Sequence, residues 1–127
     1  MSSRHIQAGW IIGALPVLFL AFDTLGKLLT LPPVVQGSAR LGYAESAIFG
    51  LGLIELVCLA AYLIPRTAVL GAVLLTGFLG GAVATHVRVG DPLFSHILFP
   101  VYVGVLIWGA LFLRDARLRA LVPVRQQ

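Results

Sequence analysis

Residues 44–64, AESAIFGLGLIELVCLAAYLI, decide the fold of this chain together with the run that follows them. Crossing about 30 Å of bilayer hydrocarbon takes about 20 apolar residues at a rise of 1.5 Å each. Residues 44–64 meet that length, and so do residues 67–86, TAVLGAVLLTGFLGGAVATH. Only Pro65 and Arg66 separate the two runs, which predicts an antiparallel pair of membrane helices joined by a tight turn.

Two further apolar runs flank this pair, at residues 8–29 and 93–113. Leu31-Pro32-Pro33 closes the first run and Gly90-Asp91-Pro92 precedes the last, so each run is punctuated as a helix should be. None of them alternates polar and apolar residues as a barrel strand does. The sequence therefore predicts an all-α fold: one domain, residues 1–127, forming an up-down-up-down bundle of four transmembrane helices.

The composition agrees with a chain whose solvent is mostly lipid. Of its 127 residues 59% are hydrophobic and only 11% are charged, whereas a soluble domain carries about a quarter charged residues. The single cysteine, Cys58, excludes an intramolecular disulfide and any cysteine-based metal motif. We expect membrane lipid as the surroundings and no nucleic-acid partner.

The basic residues predict the orientation. With four spans, both termini and the Pro65-Arg66 turn share one side. That side carries Arg4, Arg66, Arg114, Arg117, Arg119 and Arg125, against Lys27, Arg40 and Arg88 on the other. The positive-inside rule then predicts a multi-pass protein of the cell membrane with both termini in the cytoplasm.

Pairs of glycines four residues apart lie in two of the spans. They are Gly9 with Gly13 and Gly77 with Gly81. Small residues at this spacing let helix backbones approach closely, because lipid provides no hydrophobic drive for helices to associate. The pairs fit packing within the bundle and also a homo-oligomer, and both alternatives stay open.

Ionisable groups inside the apolar runs carry most of the functional information. A charge at membrane depth is costly, so such groups face the bundle interior or a polar cavity. Asp23, Lys27, Glu55, His86 and His96 all fall in the outer half of the predicted bundle. Their distribution predicts a cavity that opens toward the non-cytoplasmic side or the outer leaflet.

Glu55 is the sharpest of these signals, because its neighbours on either side are wholly apolar. A carboxyl group there is either protonated or paired across helices, as a structural ion pair or as a proton donor or acceptor to a ligand. Asp23 and Lys27 are four residues apart on one helical face, in the favourable order for an ion pair. They either neutralise each other or form the wall of a pocket.

His86 and His96 flank a short loop and are expected on adjacent helix ends. With Glu55 or Asp23 they have the donor types of a two-histidine, one-carboxylate metal site, and a haem ligand is a further alternative. The spacing matches no strong metal motif, so acid–base work or hydrogen bonding to a ligand is favoured and no metal is assigned. We predict Glu55, His86 and His96 as catalytic. A second group is predicted to bind ligand: Asp23, Lys27, Arg88 and Tyr102. Asp23 and Arg88 are also candidates for setting the histidine tautomers.

Three segments make the chain resemble a known family. They are Phe22-Asp-Thr-Leu-Gly-Lys-Leu28, Gly50-Leu-Gly-Leu-Ile-Glu-Leu56 and Ile64-Pro-Arg-Thr-Ala-Val-Leu-Gly-Ala72. Together they resemble the DoxX-like family of small four-helix membrane proteins, with its glycine-lysine pair, buried glutamate and proline-arginine turn. The resemblance implies the fold. The family's name derives from a thiosulfate:quinone oxidoreductase, so it also points to quinone-linked redox work, although the cofactor stays unknown.

The leading functional hypothesis is a pocket for a small apolar molecule of the quinone or isoprenoid type. It spans a quinone-linked redox subunit and an acid–base enzyme such as an isomerase, and leaves open whether the protein is an enzyme. The alternative is a non-enzymatic accessory or scaffold subunit of a membrane complex. A transporter is a third and weaker hypothesis, because a transport path would need polar groups through the cytoplasmic half of the bundle and the sequence has none there.

Overall fold

Four long apolar helices dominate the structure, a computed structural model that describes residues 3–125. The segments long and apolar enough to cross a membrane are Ser3–Leu28, Glu45–Leu63, Pro65–Arg88 and Leu93–Arg114. The described residues contain no strand. The helices are α1 (Ser3–Leu28), α2 (Pro32–Arg40), α3 (Glu45–Leu63), α4 (Ala68–Arg88), α5 (Phe99–Arg114) and α6 (Ala116–Leu121). The predicted all-α fold with four spans is confirmed, and the predicted boundaries differ from the observed ones by a few residues.

The four long helices form a closed ring. Each packs on the next along the chain, and α1 packs on α5 to complete the ring. Fully buried apolar side chains fill its centre, among them Leu20, Ile48, Leu75 and Ile107. The closest crossing joins α3 to α4, where a Cβ on Gly71 would lie 2.1 Å from the backbone nitrogen of Tyr62. Only glycine allows this approach, which holds α3 and α4 tightly together beside the Pro65 turn.

The two glycine pairs serve different purposes. A Cβ on Gly9 would lie 2.7 Å from the carbonyl oxygen of Ala110, and one on Gly13 would lie 3.1 Å from the Cβ of the same alanine. This pair therefore seats α1 against α5, as expected for packing within the bundle. Gly77 and Gly81 have no neighbouring atom within 4 Å of such a Cβ, so their interpretation as a packing motif inside the bundle is wrong. Both border an open space instead.

Two short helical segments were not expected from the sequence. The link between the first two spans folds into α2, which begins with Pro32 and Pro33, residues whose fixed φ suits a first helical turn. The fourth span opens with a π-helical turn, Leu93–Ile97, before α5 starts at Phe99. Pro100 occupies the first turn of α5, where the missing N–H costs nothing.

The bundle has two chemically different ends. We call the end that holds Ser3, the Pro65 turn and α6 the terminal end, and the opposite one, covered by α2 and the α4–α5 loop, the cavity end. At the terminal end a guanidinium nitrogen of Arg114 lies 3.2 Å from the Tyr62 hydroxyl oxygen. Asp23, Lys27, Glu55, His86 and His96 lie toward the cavity end.

The predicted orientation can be tested by labelling two exposed positions in a Cys58→Ala background, which removes the chain's only thiol. Gln36 lies on α2 at the cavity end, and Val124 lies beyond α6 at the terminal end. The basic excess at the terminal end predicts that a membrane-impermeant maleimide labels Gln36→Cys in intact cells and labels Val124→Cys only after permeabilisation. Labelling of both from outside, or of Val124→Cys alone, would overturn the predicted orientation.

Candidate functional site

An ion cluster of three residues crosses from α1 to α3. The Lys27 ammonium pairs with Asp23 one turn earlier on α1, as the sequence spacing predicts. It also donates to Glu55 Oε2 on α3, with 2.9 Å between Nζ and the oxygen. Burial increases along the cluster: the Asp23 side chain is 34% exposed, that of Lys27 16%, and that of Glu55 0%. Glu55 is thus paired across helices, and Gly52, one turn before it, lets Lys27 approach α3 closely.

The cluster leaves one carboxyl oxygen unused. Glu55 Oε1 is buried and has no hydrogen-bond partner among residues 3–125, a condition that only Thr24 Oγ1 shares there. A single ammonium also faces two carboxyl groups. The cluster is therefore neutral only if one carboxyl carries a proton, and a net charge buried at this depth is strongly unfavourable.

Glu55 lines a cavity of about 480 Å³ at the cavity end. The volume falls within the range of about 300–1,000 Å³ that is typical of small-molecule sites. Most of the wall is apolar, and Asp23 and Lys27 lie on it beside Glu55. The apolar part includes Phe19, Leu20, Val34, Leu51, Phe78, Leu79, Phe99 and Val103.

The helix α2 covers the cavity and is fastened to the far side of the bundle. Arg40, its last residue, donates to both oxygens of Asp91 in the α4–α5 loop, at 2.9 and 3.4 Å. Arg88 donates to the Leu41 carbonyl at the end of α2. The hydroxyls of Tyr43 and Thr85 lie 2.8 Å apart across the same gap. These contacts, which we call the α2 latch, fix the position of α2 over the cavity.

Asp91 also sets the tautomer of His86. Hydrogen bonds from Arg40, then from His86, lower the pKa of the Asp91 carboxyl to about 2, and the same contact with Asp91 raises the pKa of Arg40. Asp91 is therefore an anion that only accepts, so His86 Nδ1, 2.5 Å from Asp91 Oδ2, carries the proton and donates. His86 is on the cavity wall. Its other nitrogen, Nε2, is free to accept in the neutral ring.

The structure brings four of the seven predicted site residues to the cavity wall and leaves three outside it. Asp23, Lys27, Glu55 and His86 line the cavity. His96 lies behind His86, with ring centroids 5.9 Å apart, and its Nδ1 lies 2.8 Å from Ser95 Oγ. Arg88 belongs to the α2 latch, and Tyr102 donates to the Phe94 carbonyl at 3.0 Å. Neither of these two faces the cavity.

One expectation about the histidines needs correction, and one disfavoured alternative is not formed by the described residues. The partner that orients His86 is Asp91, not Asp23 or Arg88, because Asp23 is taken up by Lys27 and Arg88 by the Leu41 carbonyl. No cluster of three histidine, cysteine or carboxylate side chains suited to a metal occurs within residues 3–125. The two-histidine, one-carboxylate arrangement with Glu55 or Asp23 is therefore not formed there.

Sequence reasoning missed Tyr43, Thr85 and the role of Asp91. The first two line the cavity with their paired hydroxyls, yet isolated hydroxyl residues near helix ends give no periodic signal. Asp91 was read only as part of a Gly-Asp-Pro turn. Arg40 could have indicated the role of Asp91. It is a cation in the link between two spans, and Asp91 is an acid expected at the same depth.

Comparison with known proteins identifies the family. The profile of the DoxX-like family matches residues 11–110, well over half of the chain. The chain belongs to the DoxX-like family. The match includes the second and third spans completely, most of the first and fourth, and every residue on the cavity wall. No curated protein and no solved structure gives a significant match.

In this DoxX-like protein the α2 latch should depend on the Asp91 charge. We expect Asp91→Asn to raise amide hydrogen exchange in α2, because Arg40 loses its anionic partner and a neutral amide holds Arg40 and His86 less strongly. Hydrogen exchange read by mass spectrometry checks this, with Glu45→Gln as the control at an exposed carboxylate of the same end. Equal exchange in Asp91→Asn and wild type would contradict the latch.

The pH dependence of the latch follows from the same carboxyl. Its pKa is lowered on folding, so the stabilisation is fully present above the ordinary aspartate pKa of about 3.9. It disappears only as the pH falls through about 2. Asp91 therefore contributes no pH dependence to α2 exchange between about pH 5 and pH 8, once intrinsic exchange rates are divided out.

Proposed function

We propose that the cavity binds a small, mostly apolar molecule with one hydrogen-bonding oxygen, of the quinone or isoprenoid type, and that Glu55 exchanges a proton with that oxygen. The observation that carries the proposal is Glu55 Oε1, a buried carboxyl oxygen without a partner on the wall of an otherwise apolar cavity. A buried polar atom left unpaired costs about 1–3 kcal/mol, so a ligand oxygen there recovers a hydrogen bond.

The wall chemistry supports a ligand with a polar head and an apolar body. Glu55 and Lys27 supply a donor and a charge at one place, and His86 Nε2 supplies an acceptor at another. Phe78 lies against Lys27, whose Nζ is 5.4 Å from the ring centroid. The aromatic rings of Phe78 and Phe99 suit a flat ring or an unsaturated chain.

The ion cluster supplies a route for the proton. Asp23 is partly exposed, Lys27 less so and Glu55 not at all, so the three connect the water-facing side to the buried oxygen. Because the neutral cluster holds one acidic proton, Glu55 acts as a general acid toward a ligand oxygen and is reprotonated through Lys27 and Asp23. An isomerisation also needs a base that removes a proton from the ligand, and His86 Nε2 is the acceptor on the cavity wall for that role. A quinone-linked redox reaction would use the same groups and take its electrons from a partner.

The ligand enters sideways from the bilayer. Gly77 and Gly81 lie on the cavity wall and are exposed, and nothing lies within 4 Å of a Cβ built on either. Their lack of side chains leaves a gap on the α4 face through which an apolar molecule reaches the cavity without crossing water. Gly80 on the same helix is equally open but lies off the cavity wall.

Binding of a short-chain benzoquinone with an isoprenoid tail, measured by equilibrium dialysis on detergent-solubilised protein, tests the proposal. We expect Gly81→Leu to weaken binding at least about tenfold, or ~1.4 kcal/mol, because leucine fills the gap. Gly80→Leu is the matched control and should bind as wild type does. Glu55→Leu should also weaken binding, whereas Glu55→Gln keeps a hydrogen-bonding group and should bind within about threefold of wild type.

The outcome separates the two functional classes. Mass spectrometry of the lipid extract should find a quinone or isoprenoid with the wild type and much less with Gly81→Leu. A scaffold subunit predicts no such molecule and equal behaviour of both leucine variants. That result would refute the proposed pocket.

A further inference from the structure

A second, smaller groove lies at the terminal end, on the opposite side of the bundle from the cavity. Its volume is about 230 Å³, and its wall is almost entirely apolar except for Arg114. The lining comprises Trp10, Gly13, Ala14, Val17, Tyr62, Leu63 and Arg114. The groove runs between α1 and the end of α3, with Arg114 of α5 on its wall.

Arg114 is held in a fixed position. A Cβ on Gly9 would lie 2.5 Å from Arg114 Cγ, so the arginine stem crosses α1 where only glycine leaves room. Its guanidinium stacks 4.2 Å from the Trp10 ring and donates to the Tyr62 hydroxyl at 3.2 Å. Tyr62 in turn donates to the Ile107 carbonyl at 2.9 Å. These contacts fix the position of the guanidinium before a ligand binds.

The charge of Arg114 is not neutralised by the described residues. No carboxylate within residues 3–125 lies in salt-bridge distance of it. The nearest in sequence, Asp115, accepts from the backbone nitrogens of Arg117 and Leu118 and so caps α6. Arg114 Nη1 donates to no described residue. Arg114 is a fixed cation without a described carboxylate partner, and the rest of the groove wall is apolar. A ligand that suits both features is an anion with an apolar chain.

We propose that this groove binds one anionic glycerophospholipid, with its phosphate on Arg114 and part of an acyl chain between α1 and α3. A guanidinium is a suitable donor to a phosphate, and Arg114 Nη1 keeps its N–H groups for phosphate oxygens while Nε and Nη2 donate to Ala110 and Tyr62. Exposed arginines of the terminal end, among them Arg4, Arg66 and Arg117, raise the local concentration of anionic lipid. They are not placed on the groove, so the specific contact depends on Arg114.

Native mass spectrometry of the full chain in detergent, titrated with phosphatidylglycerol and with phosphatidylcholine, tests the proposal. We expect one phosphatidylglycerol to bind about tenfold more tightly than phosphatidylcholine, since only the former has a net negative head. Arg114→Gln should abolish this preference. Arg117→Gln removes the same charge at an exposed position off the groove and should retain it.

A charge-preserving variant separates the groove from general attraction and from misfolding. Ala14 is exposed and lines the groove, so Ala14→Phe should weaken phosphatidylglycerol binding about tenfold with Arg114 intact. Ala21→Phe, at an exposed position of α1 outside both pockets, should leave it unchanged. Inorganic phosphate should not compete, because it lacks the chain. Equal losses in Arg114→Gln and Arg117→Gln, no effect of Ala14→Phe, or competition by phosphate would each overturn the proposal.

Discussion

The pairing of one ammonium with two carboxyl groups inside the bilayer is the constraint on which the rest of the structure depends. Lys27 joins α1 to α3 through Glu55, and in a low-dielectric bundle its ammonium needs the Asp23 carboxylate beside it. Their contact requires Gly52 at the crossing and α2 overhead to limit water. Because the ammonium cannot satisfy both carboxyls, an unpaired oxygen and a proton remain at the cavity wall. The interhelical contact of Glu55 and its proposed role as a proton donor therefore have the same origin, which is that one ammonium faces two carboxyl groups.

The two ends of the bundle differ in how tightly their helices pack. At the terminal end α3 and α4 cross closely at Gly71, and α1 meets α5 through Gly9 and Gly13, which leaves a rigid base. Toward the cavity end no side chain of residues 3–125 occupies the space beside Gly77 and Gly81, and the α2 latch covers the cavity. A rigid base with an open opposite end produces a cavity without weakening the core, since buried residues such as Leu59, Leu75 and Ile107 pack on its terminal side.

Much of this was predictable from the sequence, for physical reasons that also explain what was not. The spans follow from apolar length, and the Asp23–Lys27 pair follows from helical spacing, because both are local. The apolar residues on either side of Glu55 predicted that it is either protonated or paired across helices, and pairing with Lys27 is one form of the second alternative. The α2 helix, the pairing of Arg40 with Asp91 and the use of Gly77 and Gly81 as cavity wall depend on how distant segments meet, and no local periodicity encodes that.

The central claim is that the Asp23–Lys27–Glu55 cluster carries one acidic proton on Glu55. Infrared spectroscopy of the protein in lipid nanodiscs at neutral pH tests it through the C=O stretch of a protonated carboxyl, a band that ionised carboxylates lack. We expect this band in the wild type and in the exposed-site control Glu45→Gln. It should vanish in Glu55→Gln, and also in Asp23→Asn, where one ammonium then balances one carboxylate. Absence of the band from the wild type, or its persistence in Glu55→Gln, would contradict the account.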